Sequence, residues 1–254
     1  MAAANIKNTD TILEIGPGIG TLTQALAQKA GKVVAIEKDH AMVEILGQTL
    51  AGFKNVEIIH GNILTLDPSP YTLAPYKLVA NIPYYITSPI IRKFLEGENQ
   101  PTTITLMVQR EVAQRICAKP PEMSMLALSV QFYANPKIIA TVPKGCFWPV
   151  PNVDSAILHI TPFKKASMQG HKQGKALLVE EQTSPETFFA IAKAGFSAPR
   201  KQLAGNLAKG LKKEKAWVIA WLLSNNIEPT RRAETLSLQD WINLAVMFAP
   251  LRKI

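Results

Sequence analysis

The stretch ILEIGPGIGTLT, Ile12 to Thr23, changes character twice. Ile12 to Ile15 belongs to a short apolar run of strand type. Gly16, Gly18 and Gly20 follow at alternate positions, and Thr21 opens a segment with helical spacing. Glycines between a strand and a helix let the backbone turn tightly and approach a ligand with no side chain in the way. The same strand-to-helix alternation continues down the chain. Strand-like runs at Thr11–Ile15, Lys32–Glu37, Val56–His60, Lys77–Ala80 and Thr103–Val108 are separated by helical patterns at Thr21–Lys29, His40–Leu50, Ser88–Leu95 and Arg110–Ala118. This order predicts an α/β chain with a doubly wound, Rossmann-like parallel sheet. Two further strand candidates, Lys137–Val142 and Ser155–Thr161, are expected to close the sheet as an antiparallel edge hairpin around the loop PKGCFWPVPNVD.

From Phe163 the pattern changes. The segment KKASMQGHKQGK is basic, polar and glycine-containing, and reads as a linker. After Ser184-Pro185-Glu186, a capped helix start, the remainder has helical apolar spacing and no strand run. The expectation is a domain over residues 1–180 and a small all-helical domain over 181–254. Residues 1–162 carry 13 Lys and Arg against 12 Asp and Glu, whereas residues 163–254 carry 15 against 7. A near-neutral first part joined to a basic second part points to a polyanionic partner. Arg200, Lys201, Lys212, Lys213, Lys215, Arg231 and Arg232 are the candidate phosphate contacts. Arg200 and Lys201 can equally be packing or pairing residues, and Lys212 to Lys215 a solvated helix face.

The 254 residues are 47% hydrophobic and 19% charged, ordinary for a globular chain. The apolar run Ala216 to Leu223 is too short to span a bilayer, so no membrane partner is expected. The start MAAANIKNTD lacks the form of a secretory signal. Cys117 and Cys146 offer neither metal spacing nor a disulfide framework. A reduced, cytoplasmic setting and no metal site are the corresponding expectations.

Glu37 ends the second strand about twenty residues beyond the first glycine, where a carboxylate can accept hydrogen bonds from a ribose. Glycine loop and carboxylate together indicate an adenosine-containing ligand. They do not separate a dinucleotide from S-adenosylmethionine. Glu14, two residues before Gly16, is unusual in a dinucleotide fingerprint but suits a loop facing a cationic sulfonium.

The stretch YKLVANIPYYITSP, Tyr76 to Pro89, adds the chemistry. In an open parallel sheet ligands lie beyond the carboxyl ends of the strands, so Asn81-Ile82-Pro83-Tyr84 faces the same crevice as the glycine loop. Thr87-Ser88-Pro89 reads as a hydroxyl cap followed by proline at the first helical position. The exocyclic amine of adenine is a poor nucleophile because its lone pair is delocalised into the ring. Two acceptors aimed at its hydrogens would localise that pair. The Asn81 side-chain carbonyl is one, and the Ile82 backbone carbonyl, left free before Pro83, is the other. Tyr84 offers a face on which the base can stack. Methylation of a neutral amine needs no strong base, so positioning and desolvation can supply most of the rate.

These pieces resemble the ribosomal RNA small-subunit adenine dimethyltransferases, the family whose loss confers kasugamycin resistance in bacteria. EIGPGIGTLT resembles the cofactor loop, AIEKD the ribose-binding strand end, and NIPYYITSPII the catalytic tetrapeptide with its following helix. VQREVAQRI, FWPVPNVDSA, GFSAPRKQLAGNL and RRAETLSLQDW are similar to later segments in family order, across nearly the whole chain. The resemblance implies a Rossmann-like methyltransferase sheet and S-adenosylmethionine as cofactor. Gly16, Gly18 and Gly20 would line its methionine and ribose, with Glu14 close by. Glu37 with Lys38 would hold the ribose, and Asn62 with Ile63 the adenine. Asn81 would lie between cofactor and substrate amine, and Tyr84 and Phe147 would sandwich the target base. An aromatic on a proline-stiffened loop fits that last role; without the resemblance, Phe147 and Trp148 read as core residues.

The family usually has Asp where this chain has Asn62, and an amide oxygen can still accept from an adenine amino group. The family also has a Gly-Gln-x-Phe segment ahead of the first strand that is not matched here, so a trimmed chain is expected. The resemblance further implies a monomer acting on small-subunit ribosomal RNA within a pre-30S particle. The related large-subunit adenine methyltransferases of macrolide resistance share the loop and the tetrapeptide, but FWPVPNVDSA and RRAETLSL fit the small-subunit enzymes better. A non-catalytic RNA-binding or assembly factor is the alternative from another class. A dinucleotide oxidoreductase comes last, because Asn-Ile-Pro-Tyr has no role in hydride transfer.

Overall fold

The computed structural model of the chain describes residues 2–72, 75–163 and 183–248. These divide into two compact units, one from Met1–Ala113 with Asn135–Pro162, the other from Gln114–Ala134 with Phe163–Ile254. The linker-like segment KKASMQGHKQGK and the expected boundary near residue 180 lie outside the described residues.

In the first unit, β1 (Thr11–Ile15), β2 (Lys32–Glu37), β3 (Val56–His60), β4 (Tyr76–Asn81) and β5 (Thr103–Gln109) pair in parallel. β7 (Ser155–Pro162) runs antiparallel to β5, and β6 (Ala134–Val142) is outermost, giving the order β3-β2-β1-β4-β5-β7-β6. Helices α1 (Thr21–Ala27), α2 (His40–Thr49), α3 (Thr87–Glu96) and α4 (Arg110–Ile116) follow β1, β2, β4 and β5. The doubly wound α/β fold is therefore as the sequence predicts. Ile12, Leu13, Val33, Val34, Ala35, Leu78, Ile104 and Leu106 are wholly buried, as expected of parallel strands covered on both faces.

The register decides where the site forms. Ile15 stands opposite Ile36 of β2 on one side and Ala80 of β4 on the other. From β1 the chain winds outward to β2 and β3, then returns to β4 on the far side. This reversal opens a crevice beyond the strand ends, and Gly16, Glu37 and Asn81 stand at its edge.

One local expectation is corrected. Thr87 does not cap α3 from outside; it is the first helical residue, is buried, and no side chain caps this helix. A single 3₁₀ turn, Tyr84–Ile86, runs straight into the helix, and its Ile86 and Thr87 amides donate to the Pro83 and Tyr84 carbonyls. Because the helix already begins at Thr87, the Ile90 and Ile91 amides that a Thr87 or Ser88 hydroxyl would cap fall inside it, one turn beyond main-chain carbonyls. Pro89 is its third residue and not its first, still within the turn where a missing N–H costs little.

In the second unit, α5 (Met125–Gln131) joins α6 (Pro185–Gly195), α7 (Leu203–Leu211), α8 (Lys215–Ser224) and α9 (Leu238–Phe248). The expected Ser184 cap is present, its hydroxyl accepting from the Thr187 amide at 3.2 Å. Phe132 packs on Phe188 with ring centroids 4.4 Å apart, and Phe196 stacks on Trp241 at 5.5 Å. α6 approaches these neighbours closely because Gly195 has no side chain: a Cβ there would lie 2.3 Å from the Trp241 ring and 3.2 Å from Leu203. Gly195→Ala should therefore cost about 1–3 kcal/mol through overpacking, read as a lower urea midpoint with an unchanged slope. A midpoint equal to that of the unaltered chain would show that the Trp241 ring shifts freely.

Candidate active site

The glycine loop is held by its backbone. Gly16, Gly18 and Gly20 have φ of 65°, 57° and 91°, in the left-handed region that side chains disfavour. The Gly16 amide donates to the Ile36 carbonyl at 3.0 Å, and Gly20 to Pro17 at 3.0 Å. A Cβ on Gly20 would press on Leu46 at 3.0 Å, so that position is also closed sterically. A Cβ on Gly16 or Gly18 would project into open space, leaving room for a ligand against the loop.

Glu37 ties this loop to the next helix. One carboxylate oxygen accepts from the Lys38 amide at 2.7 Å and the Asp39 amide at 3.0 Å, and the other from the Gly18 amide at 3.2 Å. Asp39 in turn caps α2, accepting from Ala41 and Met42. One carboxylate thus bridges the strand end, the glycine loop and a helix start.

Glu14 is different. It is 1% exposed, and neither carboxylate oxygen has a hydrogen-bond partner among the described residues. Burial pushes its pKa up to about 7; the nearby Thr23 hydroxyl lowers it, although not in good hydrogen-bonding geometry, and Glu37 raises it further. A buried carboxyl without partners in this position is the donor set a cationic group would complete.

Two cavities share Gly16, Glu37 and Pro83 in their walls. The first, about 420 Å³, is walled by the ends of β1 and β2, by Lys38 and Asp39, and by Gly61 to Leu64, with Tyr85 and Ile86 on another side. Asn62 and Ile63 lie here. The Asn62 side-chain oxygen accepts from the Leu64 amide at 3.1 Å, which, among the described residues, leaves its second lone pair and its NH₂ uncommitted. The second cavity, about 470 Å³, is walled by Gly18, Asn81 to Tyr84, Phe147, Trp148 and two prolines of the same loop. Among the described residues nothing hydrogen-bonds the Asn81 side-chain amide or the Ile82 carbonyl. The Tyr84 hydroxyl is 2.8 Å from that of Ser155. Trp148 is 95% exposed, so it is not the core residue that its composition suggests.

S-adenosylmethionine fits this arrangement. The orphaned Glu14 carboxyl, the side-chain-free faces of Gly16 and Gly18, and the Glu37 carboxylate suit a ligand carrying positive charge at one end and a ribose in the middle. The first cavity has the size of a small-molecule site. Asp39, Leu64, Tyr85 and Ile86 line it as well. Asp39, Tyr85 and Ile86 fall within the segments AIEKD and NIPYYITSPII but are not singled out there as site residues, and Leu64 follows Ile63 with no signal of its own.

The basic candidates lie in the second unit and differ in what they do. Arg200, Lys201, Lys212, Lys213, Lys215 and Arg232 are exposed. Lys213 lies over the Trp217 ring, 5.5 Å from its centroid, and Arg232 is 3.8 Å from Glu234. Arg231 is half-buried and committed to Thr235, donating from Nε to its hydroxyl at 3.1 Å and from Nη2 to its carbonyl. Among the described residues no helix is long and apolar enough to cross a membrane, and no cluster of His, Cys, Asp and Glu could hold a metal ion.

Comparison with known proteins agrees with this geometry. A ribosomal RNA small subunit methyltransferase A from Dehalococcoides mccartyi is 44% identical, over 98% of this chain and 82% of the relative. The protein of the same name from Alkaliphilus oremlandii is 36% identical, over 95% of this chain and 83% of its own. Among solved structures, a dimethyladenosine transferase from Plasmodium falciparum superimposes with a TM-score of 0.78 at 25% identity, covering 98% of this chain and 93% of that one. The 23S rRNA methyltransferase ErmE does so with 0.72 at 25% identity, over 96% and 93%. The family described as ribosomal RNA adenine dimethylase matches residues 1–249, so the glycine loop, the Asn-Ile-Pro-Tyr strand end and the helical unit all fall within one match, and the chain belongs to that family.

Proposed function

We propose that this chain is an S-adenosylmethionine-dependent adenine N6-dimethyltransferase that modifies two adjacent adenines of small-subunit ribosomal RNA during ribosome assembly in the cytoplasm. The observation that carries this reading is the meeting of Asn81, Ile82 and Tyr84 with Gly16 and Glu37 at one crevice. When bound, S-adenosylmethionine supplies a methyl group on a positively charged sulfur. The chain's part is to prepare the amine. The Asn81 oxygen and the Ile82 carbonyl accept from its two hydrogens and localise its lone pair, while Tyr84 and Phe147 hold the base between ring faces. The relatives named for the small subunit favour that substrate. The likeness to ErmE supports a second reading, methylation of large-subunit RNA, and mapping of the bases modified in each subunit separates the two.

Glu14 gives the cofactor site a pH signature. Its folded pKa of about 7 lies above the ordinary carboxyl value of 4.5, so ionisation opposes folding. Its contribution to stability is full below about pH 4.5 and is lost as the pH rises through about 7. Glu14→Gln should remove that loss and stabilise the free protein by about 2–4 kcal/mol above pH 8. The same variant, like Glu37→Ala, should bind S-adenosylmethionine more weakly in calorimetry, because a cationic ligand favours the ionised Glu14. Unchanged cofactor affinity in both variants would remove the site from this crevice.

Asn81→Ala should slow methyl transfer by about 2–4 kcal/mol in the barrier, the size of one oriented hydrogen-bonding group, with RNA affinity nearly unaltered. Transfer of tritiated methyl groups to undermethylated small subunits measures it. Near-normal turnover would sink the amine mechanism.

The basic second unit should supply phosphate contacts. RNA affinity should fall with salt at a log–log slope of about 0.7–0.9 per contact. Neutralising Arg200, Lys201 and Lys215 together should flatten that slope by about two to three units. An unaltered slope would show that these three residues do not meet the phosphates.

A further inference from the structure

Phe147 is carried on a loop whose two ends meet at one residue. Asp154 accepts from the Lys144 amide through Oδ1 at 3.0 Å, closing the base of the loop on itself. Its carbonyl accepts from the Arg110 amide at 3.0 Å, and its other oxygen faces the Arg110 guanidinium at 3.5 Å, which fixes that base to the end of β5. The next residue, Ser155, is wholly buried and paired in the sheet opposite Gln109. Its hydroxyl meets that of Tyr84 at 2.8 Å. The Tyr84 ring comes from the far end of β4, and without Ser155 its hydroxyl would have no fixed partner among the described residues.

We propose that Asp154-Ser155 is a positioning pair that sets the ring of Tyr84 and the loop of Phe147 at a fixed separation, so that the two aromatic faces grip one base. This rests on the methyltransferase reading above. Both anchors are backbone-paired, so the gap between the faces is set by the sheet and does not have to be set by the base. A Tyr84 ring without its hydroxyl bond would still stack but would rotate away from the angle that aims the amine. Ser155 touches neither base nor cofactor and acts through Tyr84.

A double-mutant cycle on methyl transfer to undermethylated small subunits tests the pair. Tyr84→Phe and Ser155→Ala should each lower the single-turnover rate about tenfold while leaving cofactor affinity unchanged. Because both remove the same bond, the double variant should be no slower than either single. Tyr84→Phe keeps the ring and guards against loss of folding at buried Ser155. Asp154→Ala should raise the apparent KM for the subunit about tenfold, and Asp154→Asn, which keeps the oxygen facing the Lys144 amide, should recover it. A multiplicative double variant, a Tyr84→Phe rate equal to that of the unaltered chain, or equal effects of Asp154→Ala and Asp154→Asn would overturn the proposal. Failure of the underlying reading is distinguishable, since it would show as no methyl transfer to undermethylated small subunits by the unaltered chain.

Discussion

The parallel ladder that places Ile15 between Ile36 and Ala80 is the constraint on which the site depends. The ladder between β1 and its two neighbours ends at this level, and the next residue of each of the three strands faces the crevice. Gly16 turns the chain away, Glu37 turns a carboxylate back toward the loop, and Asn81 presents an amide. A slip of one residue in any of the three strands would carry its side chain to the other face of the sheet. The chemistry is therefore as sharply specified as the register, and the register is specified by strands buried on both faces.

Two carboxylates on neighbouring strands show how environment divides roles between identical groups. Glu37 is nearly buried but surrounded by three backbone amides that hold it in place. Glu14 is buried with no amide to meet it and is pushed toward neutrality. One organises the loop whether or not a ligand is present. The other is an unsatisfied group whose partner must come from outside the chain.

Much of this was legible in the sequence because parallel strands covered on both faces read as largely apolar runs; β1 and β2 have the limits that such runs indicate, and the edge strand β3 has the limits read for it as well. The glycines were legible because three of them at alternate positions after a strand mark a left-handed turn that glycine adopts most readily. Helix α5 was not, since Met125–Gln131 is too short to show a period and is held by packing against residues distant in sequence, such as Phe132 on Phe188. Ser155 stayed hidden for a related reason. It reads as the first residue of an apolar strand, and only the fold brings Tyr84 to its hydroxyl. Thr87 misled through its type, because a 3₁₀ turn leads straight into the helix and places Thr87 inside it and not ahead of it. Local chemistry is written in order along the chain, whereas partnerships across the sheet are not.

The division of the chain has a consequence for synthesis on the ribosome. Residues Gln114–Ala134 leave the translating machinery early, yet their apolar side chains belong to a core completed by Phe188, Leu203, Trp221 and Trp241. The first unit brackets this segment and can close its sheet as soon as β7 emerges, while α5 still waits for its partners. During that interval Leu128 and Phe132 have no native neighbours from the later helices. The nascent protein thus passes through a stage with a finished catalytic sheet and an orphaned helix, the stage at which holding chaperones have most to bind.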